Sequence, residues 1–167
     1  MAYDLRKSPG HLLRRAQQHA HDLHATAVGA NGPTPRQFEV LHVVSKNDGL
    51  RQTDLVNETG IDRSTLADMI ARMLKKGLLS RSRTKEDARA NAVSITAAGK
   101  RMLSGAAAGV ARADAGALSV LPKAQQGAFM KALVAYADAL DAAGGAPAKK
   151  PAKAKKKTAR KKGKGKR

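Results

Sequence analysis

The chain has 167 residues, with 32 Lys or Arg against 13 Asp or Glu, and a formal charge of +19. This length suits one domain with a hydrophobic core and is short for two. The absence of cysteine excludes disulfides and thiol chemistry. No stretch approaches the roughly 18 apolar residues of a membrane span, and the start lacks a signal peptide's apolar segment, so we expect a cytoplasmic protein without membrane contact.

The excess of positive charge is concentrated near the C-terminal end. Residues 143–167 hold 12 of the 32 basic residues and no acid, which leaves 20 basic and 13 acidic residues in 1–142. The last segment, 146–167, is Lys, Ala, Pro and Gly in the main, and we predict that it is disordered because it has little apolar surface to bury. A polyanion is the expected partner, most commonly nucleic acid. With two Phe and two Tyr, single-strand binding by base stacking is disfavoured.

Three helices are predicted in the first third of the chain. Apolar residues recur at three- and four-residue spacing over 9–29, which indicates an amphipathic helix. Thr34 and Pro35 then have the order expected at a helix start, and the helix over about 35–46 is apolar enough to be mostly buried. A short helix follows over 52–58, although its start is poorly signalled by sequence.

The next helix is the most regular in the chain. Asp62 is a good N-cap, and its carboxylate lies at the positive end of the helix dipole. The predicted buried stripe is Leu66, Met69, Ile70, Met73 and Leu74. Gly77 follows two lysines and is predicted to end the helix in a left-handed conformation.

The remaining elements are two short strands and two long helices. Strands are predicted at 80–84 and 91–96, joined by a polar hairpin. Thr96 caps a helix in which Leu103, Val110 and Ala117, and also Ala106, Ala113 and Val120, repeat every seven residues. Pro122 starts a last helix with the stripe Phe129, Leu133, Tyr136 and Leu140. One chain of this size has too little other core to cover these stripes and the first helix, which predicts a homodimer.

The order helix, helix, turn, helix, strand, hairpin, strand is that of a winged helix-turn-helix, whose second motif helix enters the DNA major groove. Arg63, Ser64 and Thr65 are predicted to face outward at the start of that helix. Arg63 can donate two hydrogen bonds to guanine O6 and N7, and Ser64 and Thr65 can reach bases or phosphates. A solvated surface arginine is the plainer interpretation of Arg63 alone, but its place in a complete motif favours a DNA contact.

The hairpin between the strands supplies a second set of candidate DNA contacts. Arg89 on a protruding loop can enter the minor groove, where the potential is most negative. Asp87, two residues earlier, can hold its guanidinium in one orientation through a forked hydrogen-bonded pair. Arg81, Arg83 and Lys85 add charge within reach of phosphates.

Residues 8–142 resemble the MarR (multiple antibiotic resistance regulator) family. The matching pieces are "TPRQFEVLHVV", "QTDLVNETGIDRSTLADMIARMLKKGLLSR" and "DARANAVSITAAG". The resemblance implies a mainly α fold with a small β-wing, in an obligate homodimer that binds a pseudo-palindromic operator, usually as a repressor. It implies a domain over 1–145, with the winged helix-turn-helix at about 34–96 and dimerisation helices at about 8–30 and 97–143. Asp62 to Thr65 would open the recognition helix, with Asp87 and Arg89 as the wing pair.

The resemblance also implies an effector, because family members often release DNA when a small, frequently aromatic, acid binds. We expect that pocket between the first helix, the second helix and the base of the recognition helix. The candidate residues are Arg15, His19, Arg36, Phe38 and His42. Each also has a plainer interpretation as a surface arginine, a core histidine or a core phenylalanine. No other cofactor is expected.

Metal binding and catalysis are both disfavoured. His21 and His24 share a helix face, but His19 lies about 160° from His21 and no third ligand is evident. The chain has no glycine-rich phosphate loop, nucleophile elbow or paired carboxylates, so we expect no enzyme.

The main alternative comes from "AKKPAKAKKKTARKKGKGKR", which resembles the tails of linker histones and bacterial histone-like proteins. Counterion release makes such a segment bind any DNA strongly at low salt. The chain could therefore be a nucleoid-associated architectural protein that uses a winged helix.

Overall fold

The computed structural model describes residues 3–47, 49–83 and 91–143, and these form a mainly helical fold with one two-stranded sheet. After a 3-10 helix (Leu5–Lys7), the elements are α1 (Pro9–Val28), α2 (Pro35–Lys46), α3 (Gln52–Thr59), α4 (Arg63–Lys75), β1 (Leu79–Arg83), β2 (Asn91–Ile95), α5 (Ala97–Ser119) and α6 (Lys123–Ala142). The predicted class, mainly α with a small β-wing, is confirmed. The predicted disorder of 146–167 concerns residues outside those described.

Side-chain caps fix the helix starts at the predicted residues. The Thr34 hydroxyl accepts from the Gln37 N–H at 3.3 Å, and the Gln37 side chain accepts from the Thr34 N–H at 3.1 Å. The Asp62 carboxylate accepts from the Thr65 N–H at 2.9 Å, and the Thr96 hydroxyl caps α5 in the same way. Each such cap contributes about 1 kcal/mol, which is why these boundaries were readable from sequence.

The N-terminus of α3 is capped in a different way. The Asp54 carboxylate accepts from the Arg51 backbone N–H at 3.0 Å and forms a forked pair with the Arg51 guanidinium, at 3.1 and 3.2 Å. A carboxylate three residues into the helix thus replaces the missing Ser or Thr cap. At the other end Gly60 has φ +63°, a left-handed conformation that ends α3 and turns the chain towards α4.

Helices α2 to α4 and the two strands enclose one hydrophobic core. Its buried members are Val40, Leu41, Val44, Leu55, Ile61, Leu66, Met69, Ile70, Met73, Leu78, Leu79 and Val93. The buried stripe predicted for α4 is confirmed, except that Leu74 is only half-buried. We call this unit, from α2 to β2, the winged lobe.

The strands pair antiparallel, with Leu79 opposite Ile95. Leu50 adds a bridge to Val93, so the segment before α3 borders the sheet. The Thr96 hydroxyl donates to the carbonyl oxygen of Gly77 at 2.6 Å, which joins the end of β2 to the end of α4. The base of the two-stranded sheet is therefore anchored to the end of α4.

Small residues let α5 lie close against α1. A Cβ atom at Gly109 would be 2.7 Å from the carbonyl oxygen of Ala27, too close for any side chain. Ala106 and Ala113, two members of a predicted seven-residue repeat, are buried within the single chain. Val120, predicted to continue that repeat, is 65% exposed, because α5 ends at Ser119 and the chain turns away.

The outer faces of α1 and α6 are apolar but uncovered in the single chain. No residue of α6 is buried. The exposed large apolar side chains include Leu12 and Leu13 of α1 and Phe129, Met130, Leu133, Val134, Tyr136 and Leu140 of α6. In the described part of the chain, no helix is both long and apolar enough to cross a membrane.

Candidate nucleic-acid interface and ligand cavity

The first turn of α4 presents its polar side chains in two directions. Arg63 and Ser64 are exposed, as predicted. Ser64 donates its hydroxyl proton to the Asp62 carboxylate at 2.7 Å. Thr65 differs from the prediction, since it is half-buried and lines a cavity. At 100° per residue it lies about 200° from Arg63, which turns it towards the body of the protein.

The wing candidates are only partly described. Arg81 is exposed on β1. Arg83 is the last residue of β1, but its side chain lies outside the described part, as do Lys85, Asp87 and Arg89. The proposed contacts of the wing with DNA, including the Asp87–Arg89 pair, stay predictions.

A cavity of about 1000 Å³ lies between α1, α2, α4 and α5, at the location expected for an effector pocket. Its charged and imidazole side chains are Arg14, His21, His24, Arg36, Glu39, Arg72 and Asp114. Apolar side chains, including Ile61, Met69 and Ala113, form other parts of its wall. The cavity therefore combines apolar surface with charges of both signs.

Of the five ligand candidates taken from the sequence, the structure brings only Arg36 to this cavity. Arg15 and His19 are exposed on α1 and do not line it. Phe38 and His42 line a second cavity of about 260 Å³, with their rings stacked 6.2 Å apart. Contact of these five residues with a ligand stays a prediction.

Arg14 and Arg72 are the cavity arginines that sequence reasoning missed. They come from α1 and α4, and periodicity cannot say which face of α1 meets the lobe. Arg72 could have been found from its spacing along α4. Thr65, Met69 and Arg72 follow at four and three residues, so they share one face of α4, and all three line the cavity. The cavity therefore borders the face of α4 that lies away from Arg63.

Two titratable groups between α1 and α2 have constrained states. The buried His24 holds its Nε2 2.9 Å from the carbonyl oxygen of Pro33. Because a carbonyl only accepts, Nε2 carries the proton. Glu39 is exposed, yet partial loss of hydration raises the pKa of its carboxyl, while the nearby Arg36 and His24 pull that pKa down. Among the described residues no cluster of His, Asp and Glu suited to a metal ion occurs.

The elements from α2 to β2 define a winged helix-turn-helix protein. The family model described as the MarR family matches residues 31–90. A Thauera aromatica protein named for transcriptional regulation of the hcr operon is 30% identical over 122 residues, which are 72% of this chain and 74% of that protein. The chain belongs to the MarR family.

A shorter match is found with the transcriptional regulator HosA of Escherichia coli, at 33% identity over 73 residues. It covers 44% of this chain and 54% of HosA, so the chain spans about half the length of this curated relative. Both relatives are named as regulators of transcription, in agreement with the prediction that the chain is not an enzyme.

Solved structures match over most of the chain. The PcaV transcriptional regulator of Streptomyces coelicolor, in complex with its natural ligand, is 33% identical with a TM-score of 0.76, over 83% of this chain and 98% of PcaV. Bordetella bronchiseptica BpsR, whose DNA binding is regulated by 6-hydroxynicotinic acid, is 25% identical with a TM-score of 0.76, over 83% and 99%. The repressor CouR, bound to a 23-mer DNA duplex, is 27% identical with a TM-score of 0.71, over 82% and 99%.

Proposed function

We propose that the chain is a homodimeric, sequence-specific DNA-binding regulator, a repressor that a small aromatic acid releases from its operator. One observation carries this proposal: Arg63 and Ser64 are exposed at the start of α4, within a winged helix-turn-helix whose apolar side chains form a buried core. The likeness to CouR, solved on a DNA duplex, supports it.

The chemistry of the two exposed residues suggests how each reads DNA. The Arg63 guanidinium can donate to O6 and N7 of a guanine in the major groove. Ser64 already donates its hydroxyl proton to Asp62, so in this geometry its oxygen can only accept. Phosphates have no donor at neutral pH, whereas adenine and cytosine amino groups do. Ser64 is therefore better suited to a base amino group than to a phosphate.

A homodimer would place two copies of α4 on one duplex. The uncovered apolar faces of α1 and α6 are self-complementary candidates for a two-fold interface. A two-fold dimer presents two recognition helices, which fits a pseudo-palindromic operator with half-sites about one helical turn apart.

The cavity suggests how a ligand would end DNA binding. It lies between α1 and α5 on one side and α4 on the other, with Arg14, Arg36 and Arg72 available to an acid group. A ligand that binds more tightly when α4 is in a position other than its DNA-bound position would shift the population of the protein away from the DNA-bound state. The regulation of BpsR by 6-hydroxynicotinic acid is a parallel in a related fold.

The test begins with selection of a preferred site from a library of random duplexes by the full chain. Arg63→Ala is then compared with Lys131→Ala, which removes the same unit charge from α6. We expect Arg63→Ala to cost about 1–3 kcal/mol on the selected site and to relax preference at one base pair, while Lys131→Ala leaves both unchanged. Equal affinity of Arg63→Ala and the unchanged chain would refute the assignment of α4.

The architectural alternative rests on the 12 basic residues of 143–167. Deleting 146–167 should flatten the salt dependence of binding and weaken binding almost equally on all sequences. Loss of all measurable DNA binding on that deletion, together with no enriched site in the selection, would favour the architectural function.

A further inference from the structure

Arg51 carries a guanidinium that is held in one orientation at the start of α3. Its Nε and Nη2 atoms donate to the two oxygens of the Asp54 carboxylate, at 3.1 and 3.2 Å. The hydrogen bond from Arg51 lowers the pKa of Asp54 below its usual range, so the carboxylate stays charged at neutral pH. A guanidinium that is already oriented loses less rotamer freedom when it binds a further partner.

The pair with Asp54 leaves most of the guanidinium available. It uses two of the five N–H donors of Arg51, and within the described ranges no other acceptor contacts this group. The Arg51 side chain is 67% exposed. The end formed by Nη1 and the second proton of Nη2 is therefore free to donate two parallel hydrogen bonds, which is the geometry that suits two oxygens of a phosphate.

The fold places Arg51 between the two parts of the winged lobe that are predicted to meet DNA. The Val93 N–H donates to the carbonyl oxygen of Leu50 at 2.9 Å, so the start of α3 borders the middle of β2. The other end of α3 leads through Gly60 to the start of α4. Helix α3 has eight residues and spans about 12 Å between the sheet and α4.

A DNA backbone strand has to cross this interval in the proposed complex. With α4 in the major groove and the hairpin in the adjacent minor groove, the phosphates that separate the two grooves pass along α3. The first helix of a helix-turn-helix crosses the backbone in this way. Arg51 is at the end of α3 that lies nearer the sheet, with its free donors exposed.

Resting on the proposed DNA-binding function, we infer that Arg51 binds a phosphodiester of the strand between the two grooves, and that Asp54 is the positioning residue that orients its guanidinium. A phosphate contact fixes the register of the protein on the duplex but carries no base information. Arg51 therefore contributes equally on every sequence, whereas Arg63 contributes mainly on the selected one.

The experiment measures the affinity of the full chain for the selected duplex and for a scrambled duplex, over salt concentrations from about 100 to about 400 mM. The variants are Arg51→Ala and Arg51→Lys, with Lys131→Ala as the control that removes the same unit charge from α6. Residue 51 keeps its backbone N–H in each variant, so the Asp54 carboxylate can still cap α3. Thermal unfolding of each variant reports that the lobe is folded.

We expect Arg51→Ala to weaken binding to both duplexes by the same factor, about tenfold at about 150 mM salt. The slope of log affinity against log salt should fall by about 0.9 for each protomer bound, because one phosphate contact is lost. Arg51→Lys keeps the charge and should keep the slope, but without the planar fork it should lose on the order of threefold in affinity. Lys131→Ala should change neither quantity.

Other results overturn the inference. An unchanged slope in Arg51→Ala would show that Arg51 does not contact phosphate, and a loss confined to the selected duplex would make it a base-reading residue instead. Full affinity in Arg51→Lys would remove the orienting role of Asp54. If Arg51→Ala unfolds at a lower temperature, Arg51→Gln has to give the same loss of slope.

Failure of the proposed function gives a different result. Equal affinity of the unchanged chain for the two duplexes would refute sequence-specific binding. The slope on the scrambled duplex would still report whether Arg51 binds phosphate, because that contact does not depend on base sequence.

Discussion

Apolar side chains are buried in the winged lobe but exposed on the outer faces of α1 and α6. In the lobe Leu41, Leu55 and Leu66 are 0% exposed within a single chain. On α6 Val134 and Tyr136 are each 53% exposed and Leu140 is 51% exposed. The core of the lobe is covered within one chain, with Ala98, Met102 and Leu103 of α5 packed against it, whereas the apolar faces of α1 and α6 stay uncovered. In the proposed homodimer, a second copy would cover the apolar faces of α1 and α6, and we expect folding of the lobe and assembly of the chain to be energetically separate.

The largest expected effect comes from charging the outer face of α6. Leu133→Asp together with Leu140→Asp should prevent dimerisation, because each carboxylate would be buried without a partner. Loss of the second recognition helix should lower operator affinity on the order of a thousandfold. Sedimentation equilibrium checks the loss of dimerisation, and a duplex-binding titration checks the loss of operator affinity.

Lys131→Glu is the control for that variant. It changes the charge by the same two units on the same helix, at a position about 160° from Leu133 and about 180° from Leu140 around the helix axis. It should remain dimeric and bind the operator nearly as well as the unchanged chain. A double aspartate variant that stays dimeric would show that α6 is not the assembly face.

A smaller effect is expected inside the lobe. Leu66→Ala leaves a cavity in a fully buried position and should lower the free energy of unfolding by about 3 kcal/mol. Urea titration should give the same loss at every protein concentration, since the lobe core lies within one chain. For Leu133→Ala the apparent loss should instead depend on concentration. The same concentration dependence in both variants would contradict the separation of the two regions.

The smallest effect concerns Glu39, in the cavity where the two regions meet. Because partial loss of hydration raises the pKa of Glu39, the folded state binds a proton more readily than the unfolded chain does. The charged carboxylate therefore costs stability at pH 7, and that cost disappears as the pH falls through the folded pKa and then the unfolded one. Glu39→Gln should raise Tm slightly at pH 7, with a gain that shrinks towards acid pH. A lower Tm at pH 7 would show that the carboxylate stabilises the fold.

Local signals made most of the fold predictable. The boundaries of α2 follow from the Thr34 cap and Pro35, and the start of α4 follows from Asp62. The α3 start was poorly signalled because its cap comes from Asp54, within the helix. Such signals lie within a few residues of the boundary they set, which is why sequence alone carries them.

The cavity was harder to predict than the helices around it. Periodicity shows that Arg14 and Arg15 point in different directions, but only the packing of α1 on α5 decides that Arg14 lines the cavity. Thr65 was expected to face outward with Arg63 and Ser64, because the sequence does not show which face of α4 meets the body of the protein. The face of a helix that packs against another helix is set by tertiary structure. The location of the pocket was predicted from the family resemblance and not from a residue pattern.

Sequence-specific binding is tested most directly by the ratio of affinities of the full chain for its selected duplex and for a scrambled duplex, at about 150 mM salt. Non-specific electrostatic binding is weakened at that ionic strength, whereas base contacts persist. If the first turn of α4 reads base sequence, the preference is about a thousandfold or more, in the range of sequence-reading proteins. Equal binding to the two duplexes would contradict sequence-specific binding, and would mean that charge rather than the first turn of α4 holds the chain on DNA.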